Sequence, residues 1–301
     1  MDRTVISENQ ANFFNENGYF ALKEVLLHEE LNRLQNETMR LIENASQFQS
    51  PDYMYSAGHR SGSNVLQRIE YVIEKSDACK NLLGHPFILE SVEKLIGPDF
   101  IPTWDSMVIK MPDEGIAVPW HRDAGTDCVG DAPIFNVDFY LDDADENTCV
   151  WVMPGSHLWS ERQTAEWLAE RRSHGVTRDD FIPEGAVPAF MKPGDVLLHN
   201  ILVLHGSPAN EGGKLRRVIY YEFRAAHVEE SLGPHLPEYI PLKQKMLMAC
   251  IRHRLAAPYI STLEEAFVYA PPAPYNRAAL LPDENIPTYR YPHSDFWRKA
   301  S

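Results

Sequence analysis

Residues 120–123 read Trp-His-Arg-Asp, and residues 205–207 read His-Gly-Ser. His121 and Asp123 are two positions apart, so on an extended strand their side chains point to the same face. One metal ion can therefore receive an imidazole nitrogen and a carboxylate oxygen from one strand. A third ligand from a distant strand, His205, completes a set of two histidines and one carboxylate. That set leaves adjacent coordination positions open and is typical of non-haem iron(II) oxygenases.

The sequence around this motif predicts a mainly β fold with helical additions. From residue 100 onward, short apolar runs alternate with turn residues, which indicates an all-β sandwich or barrel. The predicted strands are Ile101–Met111, Ile134–Leu141, Cys149–Met153, Val187–Met191, Val196–His199, Leu202–His205 and Val218–Phe223.

Helices are predicted mainly before this region. Ser7 begins a helix with Gln10 at the capping-box position, and the helix ends near Gly18. Further helices are predicted at His28–Ser46, Ser76–Ile96, Glu161–Ser173 and Leu242–Leu255. The second of these is interrupted near Gly84-His85-Pro86. A short strand is predicted at Tyr19–Val25 and a loop at Pro51–Asn64. The simplest organisation is one domain over 1–301, with a mostly helical part at 1–99, a β core at 100–226 and a C-terminal helix and tail at 227–301.

Composition excludes some classes of partner. The 301 residues are 44% apolar and carry a formal charge of −15. A nucleic-acid-binding protein needs a basic surface, and this charge argues against one. No apolar run reaches the roughly 18 residues of a membrane span, and residues 1–4 have no signal-peptide core. Four widely spaced cysteines without a CxxC pair are expected to be thiols in a reducing compartment, the cytoplasm.

Four blocks of the chain resemble the phytanoyl-CoA dioxygenase family. They occur over about 110 residues. The first is Val108-Ile109-Lys110 leading to His121-Arg122-Asp123, and the second is Asn147–Val152 leading to Pro154-Gly155-Ser156-His157. The third is Lys192-Pro193-Gly194-Asp195, and the fourth is His205-Gly206-Ser207 with Asn210 and Arg216. Two positions depart from the family pattern. Asn147-Thr148 stands where Asn-Gly is usual, and Arg122 stands where Gln is frequent.

The resemblance implies a double-stranded β-helix core, which is a cupin-like jelly roll. It also implies an iron(II)- and 2-oxoglutarate-dependent dioxygenase that oxidises a small organic molecule with O2 and releases succinate and CO2. His121, Asp123 and His205 correspond to the metal ligands. Arg216, eleven residues after His205, corresponds to the residue that binds the far carboxylate of 2-oxoglutarate.

Several assignments near the site have alternatives. Arg217 competes with Arg216, but the two point to opposite faces of a strand. Ser207 could add a hydroxyl to the cosubstrate site or simply complete a turn, and Lys110 could approach the cosubstrate or lie in solvent. His199 is a weaker candidate for the distal ligand because no Gly-Ser follows it, and His157 is interpreted as a structural turn residue.

Substrate recognition is less well defined by the sequence. The segments Pro51–Asn64 and Ala124–Pro133 are candidate lids. Possible substrate contacts are Tyr53, Tyr55, Arg60, Trp120, Arg122 and Trp151. The acidic run of Asp142, Asp143, Asp145 and Glu146 lacks the spacing of a calcium loop and is interpreted as a solvated turn.

Three other functions are compatible with parts of the pattern. A non-catalytic jelly-roll binding protein would be expected to lack one of the ligands or the arginine. A halogenase on the same scaffold would need a small residue in place of Asp123. A zinc hydrolase could use the same three ligands, but it has no need of Arg216. The sequence does not define the oligomeric state.

Overall fold

Two antiparallel sheets lie at the centre of the computed structural model, which describes residues 5–48, 50–123, 134–171, 174–175 and 177–276. The strands are β1 Tyr19–Leu22, β2 Tyr53–Ala57, β3 Asn64–Glu70, β4 Phe100–Lys110, β5 Val118–His121, β6 Ile134–Tyr140, β7 Val150–Val152, β8 Val187–Ala189, β9 Val196–Asn200, β10 His205–Ser207 and β11 Arg216–Ala225. The large sheet has the order β1-β9-β6-β11-β4-β3-β2, and the small sheet has the order β5-β10-β7-β8. The predicted jelly-roll core is confirmed.

The two faces of the large sheet differ in chemistry. On β11, Ile219, Tyr221 and Phe223 belong to the main apolar core, whereas Arg216, Val218 and Tyr220 line a cavity between the sheets. This alternation follows from the period of two along a strand. One face of the sheet therefore stabilises the fold, and the other face carries polar groups into an enclosed space.

Helices flank both sheets: most cover the apolar face of the large sheet, and two lie against Trp120 of the small sheet through Trp167 and Phe181. They are α1 Glu8–Asn17, α2 His28–Asn44, α3 Val72–Lys75, α4 Asp77–Leu83, α5 Pro86–Ile96, α6 Glu161–Arg171, α7 Arg178–Phe181, α8 Ala226–Leu232 and α9 Tyr239–Leu255. Leu34 of α2, Leu82 of α4 and Leu247 of α9 are fully buried in the same cluster as the apolar residues of β11. The amphipathic pattern of α2 explains this packing, since buried Leu31, Leu34 and Leu41 recur at helical spacing.

Local signals set the helix ends. Ser7 and Gln10 form the expected capping box at the start of α1, and Gly18 ends the helix with φ 79°. Pro86 occupies the first turn of α5, where its missing N–H costs nothing. The predicted helices at 28–46 and 76–96 are confirmed as α2 and as the pair α4 and α5.

Two predictions of local structure are wrong. Pro51–Asn64 is not a plain loop, because it contains β2 and the first residue of β3. The edge strand β2 is largely exposed, so its sequence lacks the alternation that would have revealed it. The strand predicted at Leu202–His205 begins only at His205, because the backbone N–H of Leu202 donates to the Asn200 side chain in a turn.

Among the helices that the structure describes, none is both long enough and apolar enough to cross a bilayer.

Candidate active site

The structure brings His121, Asp123 and His205 together between the sheets. β5 and β10 are paired with His205 opposite His121, and one possible ligand atom from each of the three residues lies within 4.8 Å of the others. Asp123 Oδ1 is 3.6 Å from His121 Nε2 and 3.8 Å from His205 Nε2. Asp123 does not lie on the strand as expected. β5 ends at His121, and the backbone N–H of Asp123 donates to Ile201 O at 3.0 Å.

Both imidazoles are oriented by backbone carbonyls. The Nδ1 atom of His121 lies 2.8 Å from Pro119 O, and that of His205 lies 3.0 Å from Val203 O. A carbonyl can only accept, so in the neutral form of each imidazole Nδ1 carries the proton and Nε2 keeps its lone pair. The two lone pairs therefore face Asp123, which is the arrangement that a metal ligand requires.

A second layer of residues holds Asp123 from behind. Its Oδ2 accepts a hydrogen bond from Asn136 Nδ2 at 2.9 Å and lies 3.3 Å from His199 Nε2. His199 Nδ1 in turn lies 2.9 Å from Asp138 Oδ2. His199 is thus a positioning residue for Asp123, and the sequence analysis did not assign that role to it or to Asn136 and Asp138. A signal was available, since Asn136 and Asp138 alternate with apolar residues on a fully buried strand.

The electrostatics favour the metal-binding protonation states of His205 and Asp123. For His121, burial opposes the charged form, but the Asp123 carboxylate raises its pKa above the usual value. Burial lowers the pKa of His205 to about 3, so its imidazole is neutral. Burial alone would raise the pKa of Asp123, but the neighbouring His205, His121 and His199 together lower it well below its usual value. Burial likewise opposes the charged form of His199, yet Asp138 and Asp123 raise its pKa to about 10.

The cavity beside this cluster has a volume of about 340 Å³, and Arg216 lies in its wall. Arg216 is 3% exposed, and its Nε has no hydrogen-bond partner among the described residues. No described carboxylate forms an ion pair with it, and burial lowers its pKa. A buried cation without an anion is unfavourable, so the geometry favours an anionic ligand at this end of the cavity.

Arg217 points away from the cavity and is fully paired. Its Nε and Nη2 donate to the two carboxylate oxygens of Asp142 at 2.8 and 2.7 Å, and its Nη1 donates to Gln35 O at 2.7 Å. One expectation changes as a result. Arg217 is buried and points away from Arg216 as expected, but Asp142 is its ion-pair partner rather than part of a solvated turn.

Three further side chains line the cavity. Tyr140 is fully buried beside Arg216, and no described group lies in hydrogen-bonding geometry with its hydroxyl. Burial raises the pKa of the phenol, and the neighbouring Arg216 offsets only part of that rise. The phenol therefore stays protonated and can donate to an anion, which the sequence analysis did not foresee. Ser207 lies in the cavity wall. Lys110 is buried beside Arg216 on the paired strand, and its Nζ donates to Ile116 O at 2.8 Å and Pro208 O at 2.5 Å.

Of the proposed substrate contacts, only Tyr55 lines the cavity. Tyr53 stacks on Phe48, Arg60 pairs with exposed Asp113, and Trp120 stacks on Phe181. Arg122 donates to the backbone oxygens of Ser156 and Trp159, and Trp151 is buried in the core between the sheets. The candidate lid Ala124–Pro133 lies outside the described residues.

His157 lies outside the cavity, in line with a structural role. Its Nε2 contacts Asn15 O at 3.0 Å.

The residues fit a metal ion and an anionic cosubstrate. Two imidazoles and one carboxylate converge on one point, as an iron(II) site with open positions requires. Arg216 Nε and the Tyr140 hydroxyl are unsatisfied in the same cavity, and buried polar groups normally have partners.

Comparison with known proteins agrees with this description. The profile of the family described as "Phytanoyl-CoA dioxygenase (PhyH)" matches residues 14–218. Dioxygenase aneA of Aspergillus aculeatus is 30% identical over 185 residues, which are 56% of this chain and 58% of aneA. The chain thus spans less than two thirds of that relative.

Solved structures show the same fold. AviO1 from Streptomyces viridochromogenes is 28% identical, covers 74% of this chain and 96% of its own, and superposes with a TM-score of 0.60. EctD from S. alaskensis with bound Fe is 20% identical, covers 75% of this chain and 79% of its own, and has a TM-score of 0.61. Because the family profile covers more than half of the chain, this protein belongs to the phytanoyl-CoA dioxygenase family.

Proposed function

We propose that the protein is an iron(II)- and 2-oxoglutarate-dependent dioxygenase acting on a small organic molecule. His121, Asp123 and His205 hold the metal. Arg216 binds the far carboxylate of 2-oxoglutarate, with Tyr140, Ser207 and Lys110 as further donors around it. Structures of EctD contain Fe in one case and 2-oxoglutarate with 5-hydroxyectoine in another. At that level of identity the likeness concerns the fold, so our assignment rests on this chain's own residues.

One observation carries the proposal. The cavity that contains the three metal-ligand side chains also contains a buried arginine that no described carboxylate neutralises. A planar guanidinium matches a carboxylate through two parallel hydrogen bonds. A dicarboxylate that reaches both the metal and Arg216 would satisfy the open metal positions and the buried charge at once.

When bound, iron(II) with 2-oxoglutarate and O2 supplies the oxidising power, with release of succinate and CO2. The chain's own residues perform positioning tasks. Asn136 and His199 fix the carboxylate of Asp123, and two backbone carbonyls fix the imidazoles. The substrate is then hydroxylated, desaturated or closed into a ring.

The alternative functions account for less of the site. Zinc hydrolysis uses three such ligands but leaves Arg216 and Tyr140 without a task. A halogenase needs the space that the Asp123 carboxylate occupies. A non-catalytic binding protein does not require the positioning of Asp123 by Asn136 and His199.

The test is anaerobic titration of the iron(II)-loaded protein with 2-oxoglutarate. We expect a metal-to-ligand charge-transfer band, followed by slow succinate release when O2 is admitted without substrate. His205→Ala should abolish both signals because a metal ligand is lost, whereas His157→Ala, outside the cavity, should retain them. If the intact protein gives neither the band nor succinate, the proposed activity is wrong.

We also propose a cytoplasmic location and a single-domain organisation with the parts 1–99, 100–226 and 227–301. The buried thiols of Cys79 and Cys250 suit a reducing compartment. The main core combines the N-terminal helices, the large sheet and α9, which supports one folding unit.

A further inference from the structure

A second arginine lies in the cavity wall, away from Arg216. Arg68 on β3 pairs with Met54 on the edge strand β2 and with Val108 on β4. Its side chain is 33% exposed, and both Arg68 and Met54 line the cavity. Met54 itself is 48% exposed. Arg68 therefore lies on the open side of the cavity, whereas Arg216 is buried.

The guanidinium of Arg68 is held in a fixed orientation. Its Nε donates to Ser106 Oγ at 2.9 Å and lies 2.6 Å from Glu70 Oε1. Glu70 is oriented in turn by the Trp104 indole N–H, at 2.7 Å from Glu70 Oε2. The Arg68 Cζ also lies 5.0 Å from the ring centre of Tyr220 and 5.8 Å from that of Trp104. These contacts order the side chain in the free protein, so binding through it requires little further loss of rotamer entropy.

The terminal nitrogens of this guanidinium remain available. In the part of the chain that the structure describes, no group accepts a hydrogen bond from Nη1 or Nη2 of Arg68. Two adjacent nitrogens presented in this way form the fork that binds a carboxylate with two parallel hydrogen bonds. In Arg217, by contrast, Nε and Nη2 already donate to the carboxylate of Asp142.

Arg68 and Arg216 are anchored against different positions along β4. The Arg68 guanidinium is held at Ser106, whereas Arg216 is opposite Lys110. Ser106 and Lys110 are four residues apart on β4, which corresponds to about 14 Å along the strand. The cavity therefore has two separate positions for anions.

The position of Arg68 relative to the metal ligands can be estimated from the sheet. Ser106 is opposite Tyr220, which is opposite Asp138. This is two strand spacings, or about 10 Å. Asp138 contacts His199, which contacts Asp123. The backbone at Ser106, where the Arg68 guanidinium is held, thus lies about 10 Å from the backbone at Asp138, which supports the metal site through His199.

We propose that Arg68 binds the carboxylate of the primary substrate, and that this substrate is an apolar carboxylic acid oxidised at a carbon remote from its carboxylate. This inference rests on the proposed function. Met54, Val108, Val218 and Tyr220 supply an apolar lining for the body of the acid. A phosphate dianion fits less well, because Glu70, 2.6 Å from the Arg68 guanidinium, repels a dianion more strongly than a single carboxylate.

The test measures binding of acids and their primary amides to the protein loaded with iron(II) and saturating 2-oxoglutarate, without O2. The probes are decanoate, phenylbutanoate and a tricyclic diterpene acid, each compared with its own amide. Saturating 2-oxoglutarate keeps the acids away from Arg216. We expect at least one acid to bind about 10-fold or more tightly than its amide, as a charge-assisted hydrogen-bonded pair allows.

Three variants assign that preference. Arg68→Leu should remove it, and Arg68→Lys, which keeps the charge but not the fork, should retain only part of it. Arg33→Leu is the matched control, because Arg33 is exposed and lies 4.4 Å from the Tyr259 ring but does not line this cavity. The charge-transfer band of each variant reports separately on folding and on the metal and cosubstrate site.

The outcomes separate the two proposals. If no acid is preferred over its amide, or if the preference survives in Arg68→Leu, the substrate assignment is wrong. If acid binding depends on Arg68 but the band and succinate are absent, the Arg68 site stands and the oxygenase activity is wrong.

Discussion

Arg216 and Arg217 are adjacent, both are buried, and we predict opposite effects for their replacement by leucine. Arg216→Leu should weaken 2-oxoglutarate binding while leaving the free energy of unfolding of the free protein unchanged or raised. Arg217→Leu should lower that free energy of unfolding while leaving 2-oxoglutarate affinity nearly unchanged. The reason is that Arg217 has a protein carboxylate as its partner, whereas Arg216 has none among the described residues.

The expected magnitudes follow from these contacts. Removing one member of a buried charge pair between protein and ligand costs about 2–5 kcal/mol, so Arg216→Leu should lower 2-oxoglutarate affinity about 30-fold or more. Arg217→Leu leaves Asp142, whose side chain is 16% exposed, without its guanidinium. Breaking a buried pair costs about 3–5 kcal/mol, and the residual exposure of Asp142 reduces this to about 2 kcal/mol or more.

The assay combines two measurements on each variant. Anaerobic titration of the charge-transfer band gives 2-oxoglutarate affinity, and denaturant unfolding of the metal-free protein gives the free energy of unfolding. The double variant Asp142→Leu/Arg217→Leu is the control, because apolar replacement of both members restores part of the stability. Equal losses of cosubstrate affinity in the two single variants would refute the proposed strand register and the assignment of Arg216.

Two further predictions concern Asp123. Asn136→Ala should weaken iron(II) binding about 10- to 100-fold, because it removes the amide that holds Asp123 Oδ2. Asn147→Ala is the control, because Asn147 does not line the cavity. Unchanged iron(II) affinity in Asn136→Ala would contradict the positioning role of Asn136. With Asp123 present there is no space for a halide, so the products formed in excess chloride should be oxygenated or desaturated. A chlorinated product detected by mass spectrometry would show that Asp123 does not occupy the halide position. Undiminished turnover of the Asp123→Ala variant would show that Asp123 is not a metal ligand.

The sequence predicted those parts of the structure that rest on local pattern. The capping box of α1, the apolar stripe of α2 and the strands of the core all have signals within a short window. The edge strand β2 was missed because it pairs on one side only and is mostly exposed. Its existence depends on β3, so no local pattern specifies it.

The site was predictable where family motifs mark residues, and incomplete where tertiary contacts decide. His121, Asp123 and His205 were selected by spacing and resemblance, and the fold brings them together. The roles of Asn136, His199 and Tyr140 depend on which strands become neighbours. Asp142 was misjudged for the same reason, since its partner Arg217 is 75 residues away in the chain.

One physical rule connects the residues that the sequence analysis missed. A polar residue on a buried strand must find a partner, because an unsatisfied buried group costs about 1–3 kcal/mol. On the cavity-facing side of the large sheet, Asn136 finds Asp123, and Asp138 finds His199. The Arg216 Nε and the Tyr140 hydroxyl find no partner among the described residues. Both line the same cavity as His121, Asp123 and His205, and we therefore propose that the bound cosubstrate is the partner of these two groups.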